Sequence, residues 1–454
     1  MDNLGHVARF AAETDTSQIS PEVSARTALI LADCIGAMVG GAAEPDVAAL
    51  AARQQGSGPA LLIGTSHTRS AGTAALLNGT AGTTLEMDEG NQFCKGHPGM
   101  HTAPAALAAT AAQGDVSGAD LLAAIAIGYD VGARVGIATQ LRPSMHPHGT
   151  WGAICAATAV ARLQGASSDQ MRHAISLSAS LGLSTSRRTM LEGGTVRNVF
   201  AGVSGQMGIL AGDMIASGYT GDHDGVAQVF GHVVSDTFDT DAFAKGLGKD
   251  WEVSRNYFKM HSCCRYNHAA LDALASLRAE SADLDYTAVQ SVRVETYSLA
   301  VELDDPAPKN VLAGKFSVPF AMATALVNGA TGVDSFTMEN VENPEILALA
   351  RRVEVVEDPA MTALLPHKRP ARITVTLTSG KVLQAATETN RGDWSDPYPA
   401  IEIREKYLSL TTRLWREEAA IRIWDMMMDI AAAPSVGPLL KEMAHAPRHP
   451  NSER

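Results

Sequence analysis

The sequence predicts a mainly α-helical protein with two parts: a large all-helical domain, residues 1–255 and 397–454, and a smaller α+β domain, residues 256–396, built on an antiparallel sheet. Three observations predict it. Alanine- and leucine-rich segments of helical length, punctuated by glycine and proline, fill the chain from about Ser20 to Met214. Strand-like alternation of apolar and polar residues begins only after about Arg255. Helical patterning returns after Pro397-Tyr398-Pro399.

In chain order, residues 24–42, 70–89, 118–139, 152–165 and 201–218 read as helices, and alanine and glycine dominate them as close helix packing requires. Ser117 and Ser167 precede apolar periodic runs and predict N-caps. Residues 291–298 and 352–357 alternate as strands. Residues 371–378 and 381–389 do the same on either side of Ser379-Gly380, which predicts a hairpin. Residues 316–327 read as a helix, and so do residues 343–351, where Asn343 caps and Pro344 takes the first helical position. Residues 402–414 and 417–432 are helical again and are expected to rejoin the first domain. The tail, residues 445–454, is expected to be disordered.

Composition excludes some function classes. The formal net charge is −13, and no basic run is longer than His367-Lys368-Arg369, so a nucleic-acid partner is not expected. The cysteines, Cys34, Cys94, Cys155, Cys263 and Cys264, are odd in number and contain no CxxC pair, which argues against a disulfide framework or a thiolate zinc site. The N-terminal MDNLGHVARFAAETD has no basic segment followed by an apolar one, so no secretory signal is expected. The apolar runs at residues 27–39 and 119–131 are interrupted by Asp and Gly, which predicts buried helices, no membrane span and a cytoplasmic protein.

Reactive side chains concentrate in four stretches. Residues 85–101, LEMDEGNQFCKGHPGMH, carry Asp88, Glu89, Asn91, Gln92, Lys95 and His97 beyond a helix end, where acids are unfavourable to the helix dipole. The others are Met145–Trp151 with His146 and His148, Gly193–Asn198 with Arg197, and Lys259–His268 with Cys263, Cys264 and Arg265. A metal site is not expected: Pro98 and Gly99 separate His97 from His101, and HExxH is absent. No GxGxxG or P-loop points to a nucleotide cofactor. Cys263 and Cys264 lie near His261 and His268, so a thiolate nucleophile stands beside the plainer reading as packing. The remaining chemistry is acid/base catalysis on an anionic substrate, with Arg197, Lys259 and Arg265 binding carboxylates and His97 or His146 taking a proton from carbon. Arg187 and Arg188 either bind substrate or solvate a turn, and His101 and His148 read as structural.

The order and spacing of several short motifs resemble the MmgE/PrpD family along nearly the whole chain. They are Glu86-Met-Asp-Glu with His97-Pro-Gly and Pro104-Ala-Ala-Leu-Ala; His146-Pro with Gly149-Thr and Trp151-Gly; Lys259 to His268 with Leu271-Asp272-Ala; and Ala313-Gly-Lys-Phe-Ser-Val-Pro-Phe. That resemblance implies an active site between a helical domain and an α+β lid, a homodimer, no metal or organic cofactor, and a small carboxylate substrate. By position it implies an active-site acid at Asp88, active-site histidines at His97 and His146, a lysine of the site at Lys259, and a polar substrate contact at Asn91 or Gln92. Arg197 stands where decarboxylase and dehydratase members tend to have lysine, Cys264 where some have histidine, and Phe320 where a tyrosine donor occurs. Arginine holds a carboxylate but does not carry protons, and phenylalanine donates none. The expected function is a dehydratase or lyase on a di- or tricarboxylate; an epimerase of the iminodisuccinate epimerase type and a non-catalytic ligand-binding homologue are the alternatives.

Overall fold

The computed structural model describes residues 2–281 and 284–447. Its first half is helical, as the alanine-rich periodicity predicts. The helix Pro21–Ala42 starts at Ser20, whose hydroxyl accepts the Val23 amide, and Pro21 occupies the first turn, where its missing N–H is not needed. From Ile30 to Gly41 it is buried without a break. Ser117 caps Gly118–Ala138, and Ser167 caps Ser168–Ala179 in a reciprocal box with Gln170.

One expectation needs correction. By length and composition, Pro21–Ala42, Gly118–Ala138 and the continuous helical segment Thr195–Ala216 are each long and apolar enough to cross a bilayer. Isolated Asp and Gly residues interrupt these segments without lowering their mean hydropathy enough to exclude them. Packing within the protein covers 78%, 94% and 56% of their most apolar windows, in that order.

Two helices meet main chain to main chain. Ala71–Thr84 and Phe200–Ala216 cross at Gly79 and Gly202, where a Cβ on Gly202 would stand 2.0 Å from the Leu76 carbonyl oxygen and one on Gly79 would stand 2.7 Å from Gly202 Cα. Only glycine permits that approach. It sets the distance between the end of the first helix, before Glu86, and the start of the second, after Arg197.

The sheet lies later in the chain. Its strands run in the order Val382–Thr387, Ala371–Leu377, Val289–Thr296, Val353–Glu357. The hairpin across Ser379-Gly380 forms as predicted, and Ala371, Ile373, Val375 and Leu377 point inward by period-two alternation. The sheet is mixed, however, and not purely antiparallel: Val289–Thr296 pairs parallel with Val353–Glu357, with Val292 opposite Val353. The helices between these strands, among them Val318–Asn328 and Pro344–Ala350, return the chain to the end from which it left, as a parallel pair requires.

The buried apolar residues form two main clusters. One runs from Leu4 to Phe258 and resumes from Tyr398 to Ala446; the other holds Met190 and residues from Cys263 to Leu377. Chain return is fixed by an ion. Lys406, on Ala400–Thr411, lies 2.5 Å from Asp33 Oδ1 and also donates to the Met87 carbonyl, while Asp33 Oδ2 accepts the Glu89 amide at 3.0 Å. At the other end, His445 closes the helix Gly437–His445; residues 448–454 of the tail expected to be disordered lie outside the described residues.

Gly202→Ala is expected to destabilise the protein by about 1–3 kcal/mol through overpacking. The readout is the midpoint of denaturant unfolding, and an unchanged midpoint would contradict the close crossing.

Candidate active site

The stretch that ends Ala71–Thr84 builds one wall of a cavity. Leu85 closes the helix and Glu86 takes a left-handed backbone (φ 55°), a position glycine usually fills. A two-residue antiparallel ladder then pairs Gly90 with Tyr257 and Asn91 with Asn256. Continuing that register by two residues sets Asp88 opposite Lys259. Beyond the ladder the chain folds back at Lys95 (φ 60°), closes a bridge between Asn91 and Gly96, and reaches His97 at the head of the helix Pro98–Gln113.

Charges behind this wall are buried and paired. Lys259 Nζ lies 3.1 Å from Asp88 Oδ1 and 3.4 Å from Glu86 Oε2, and Glu86 Oε1 pairs with Arg197. Asp88 Oδ2 is 3.2 Å from His97 Nδ1. Burial alone would raise the Asp88 pKa, but His97, Lys259 and Arg197 together hold it down at about 2. Its stabilising charge is therefore present above the ordinary carboxylate range and is lost as the pH falls through about 2. Glu89 goes the other way. Burial pushes it up to about 8, and its carboxyl accepts the Gly99 amide at 2.7 Å and the Tyr129 hydroxyl at 3.1 Å.

Hydrogen-bond partners assign the two histidines opposite tautomers. His97 Nδ1 is 2.6 Å from the Glu89 carbonyl, which can only accept, so Nδ1 carries the proton and Nε2 is bare. His146 Nδ1 accepts the His148 amide at 3.1 Å, so its proton sits on Nε2. Burial lowers both pKa values, with Asp88 opposing the shift at His97 and the Arg197 charge adding to it at His146. His148 and His101 lie deeper, with their rings 4.7 Å apart, and back the pair.

The cavity lies between residues of the helical part and residues of the second cluster, Met190, Cys264 and Phe316 among them. Glu86 is the acid in its lining; the cations are Lys95, Arg187, Arg197, Arg265 and Arg369, and Tyr257, Tyr266, Cys264 and Phe316 complete much of the wall.

Of the residues singled out from sequence, His97, His146, Arg197 and Arg265 line this space together. Asp88 and Lys259 are fully buried outside the lining, where Lys259 ties two carboxylates of the protein. Asn91 and Gln92 border the cavity, but the Asn91 amide braces Glu252 and the turn amides of Phe93 and Cys94, and Gln92 Nε2 donates to the His367 carbonyl. Burial pushes the Cys264 thiol up to about 11 and the Cys263 thiol further, which removes the thiolate reading. Phe320 packs on Phe336 in the second cluster, away from the lining, while Phe316 borders it. Among the described residues, no group of three or more His, Cys, Asp or Glu is arranged to hold a metal. Sequence reasoning missed Glu86, Tyr257, Tyr266 and Arg369 as lining. The basic run His367-Lys368-Arg369 was a visible signal for the last.

Comparison with known proteins agrees with these motifs. The MmgE/PrpD N-terminal domain model matches residues 5–241, and the MmgE/PrpD C-terminal domain model matches residues 261–430. A cis-aconitate decarboxylase of Aspergillus terreus is 24% identical over 397 residues, covering 81% of this chain and 80% of the relative. The cis-aconitate decarboxylase-like protein oryM of Aspergillus oryzae is also 24% identical, covering 81% of each chain. The cis-aconitate decarboxylase of Homo sapiens is 23% identical over 393 residues, covering 81% of this chain and 79% of its own.

Because the Asp88 charge opposes the burial shift at His97, Asp88→Asn is expected to move the His97 titration further below the usual histidine range. Histidine-selective NMR across pH measures it, and a rise would contradict the assigned geometry.

Proposed function

This chain belongs to the MmgE/PrpD family, and on that premise we propose that it is a lyase acting on a small di- or tricarboxylate by proton transfer at the carbon beside a carboxylate. The observation that carries this reading is the pair of opposed tautomers at His97 and His146, lining a cavity whose cations outnumber its acid. His97 Nε2 is the base: bare, neutral and held by its other nitrogen, it takes the proton from carbon. The N–H at His146 Nε2 donates to the departing group, or to the oxygen on which enolate charge builds. Arg197, steadied by Glu86, lines the cavity, binds a substrate carboxylate there and remains charged throughout.

Lys259 and Asp88 work indirectly, by holding Glu86 and His97 in place. These side chains supply the acid, the base and the anion binding that the reaction needs, so no metal or organic cofactor enters the proposal. The relatives' shared name, which specifies removal of a carboxyl group from a tricarboxylate, supports the substrate class. A second reading is an epimerase, favoured by the same tautomer pair: one histidine removes a proton and the other returns one. The family resemblance also leads us to propose a homodimer in the cytoplasm.

Incubation in deuterated water with citrate, methylcitrate, aconitate, iminodisuccinate and malate, followed by mass spectrometry, tests the reading. At least one compound is expected to gain carbon-bound deuterium, and His146→Gln is expected to slow that gain by about 10²–10⁴-fold with the fold retained. Label gained with no other change of mass favours the epimerase. No label in any compound, with folded protein at high concentration, would overturn carbon-acid catalysis.

A further inference from the structure

Part of the cavity wall carries two arginines that the proton transfer does not use. Arg265 opens the helix Arg265–Glu280, and Arg369 stands just before the strand Ala371–Leu377. Both are almost wholly buried, 4% and 3% exposed, yet both line the cavity. Each guanidinium lies over a tyrosine ring of the same wall, Arg265 at 4.3 Å from the centre of Tyr257 and Arg369 at 5.0 Å from that of Tyr266.

Both are anchored by the protein, Arg369 to Tyr266 among others, and both keep donors unpaired. Arg265 Nη2 donates to Asp393 Oδ2 at 2.6 Å, and Arg369 Nη2 donates to the Gln92 carbonyl at 3.3 Å. Nε and Nη1 of Arg265 and Nε of Arg369 are buried with no acceptor from the protein. Asp393 has nothing to spare, because its Oδ1 already accepts the amide and hydroxyl of Ser395. Two buried like charges thus stand in the cavity wall with one carboxylate counter-ion, on Arg265, and with donors left unpaired. Such an arrangement is costly while empty and is relieved by an anion that accepts from both.

The pair lies within reach of His97. Tyr257 connects them: its ring centre is 6.5 Å from that of His97 and 4.3 Å from the Arg265 guanidinium, so the two lie no more than about 11 Å apart. A short polycarboxylate reacting at His97 can place a second carboxylate there.

We propose that Arg265 and Arg369 form a second carboxylate subsite that holds the far carboxylate of the substrate and selects polycarboxylates over analogues lacking it. This rests on reading the cavity as a carboxylate lyase site. Arg197 binds next to the reacting carbon, and the Arg265–Arg369 pair measures the rest of the molecule. Because Arg369 is also bonded to the Gln92 carbonyl, an anion bound there joins the loop before His97 to the segment leading into the sheet.

The test compares each ligand that binds or exchanges deuterium with its monoamide at the carboxyl remote from the exchanging carbon, by calorimetry and by exchange kinetics. Wild type is expected to prefer the acid by about 10- to 100-fold. Arg369→Gln is expected to abolish most of that preference by raising KM or Kd for the acid, with kcat little changed, and Arg369→Lys to restore part of it. Equal affinity of wild type for acid and amide would overturn the subsite, as would an Arg369→Gln loss that falls equally on both. Calorimetric preference for the acid without deuterium exchange in any ligand would retain the subsite and reject the lyase reading, so the two failures are distinguishable.

Discussion

The ammonium of Lys259 is the charge on which the site depends. It is fully buried between Asp88 and Glu86, two carboxylates that would otherwise repel each other within one turn of chain. With Arg197 on the far side of Glu86, two acids and two cations balance, so the cluster carries no net charge that would force His97 to ionise. Breaking such a buried pair from one side typically costs about 3–5 kcal/mol, because the partner is left uncompensated out of water. The rest of the wall follows from this balance: Asp88 is held for His97, Glu86 is held for Arg197, and the ladder that brings Lys259 there also delivers Tyr257 to the lining.

The residues behind the cavity explain why its surface can be so cationic. Charge on Arg197 is met by Glu86, that on Arg187 by Glu302 at 2.6 Å, and that on Arg265 by Asp393. Each acid holds one end of a guanidinium and leaves other N–H groups unpaired, at Arg187 Nη2, Arg197 Nε and Arg265 Nε and Nη1. The protein thus orients its cations without satisfying them, which is the preorganisation that anion binding and enolate stabilisation require.

Much of this was legible in the sequence, and what was missed has a common cause. Helices with serine caps, the Ser379-Gly380 hairpin and the Asn343-Pro344 start are specified by neighbours in the chain, so local rules read them. The parallel pairing of Val289–Thr296 with Val353–Glu357 depends on where intervening helices bring the chain back, which alternation cannot show. His97 and His146 were visible through their motifs, but their tautomers depend on the Glu89 carbonyl and the His148 amide. Lys259 read as a ligand clamp because lysine near a reactive stretch suggests one; only a two-residue ladder, between segments far apart in sequence, puts it behind the wall. Arg369 was seen only as part of a short basic run, since nothing local ties it to the Gln92 carbonyl.

The link from Lys406 to Asp33 and the Met87 carbonyl bears on how the protein comes into being on the ribosome. Every side chain that lines the cavity has been synthesised by Arg369, well before the return helix emerges. Until Lys406 arrives, the segment between Glu86 and Glu89 lacks the cation that anchors it to the first long helix. A nascent chain therefore holds every lining residue of its site before it has the Lys406 brace.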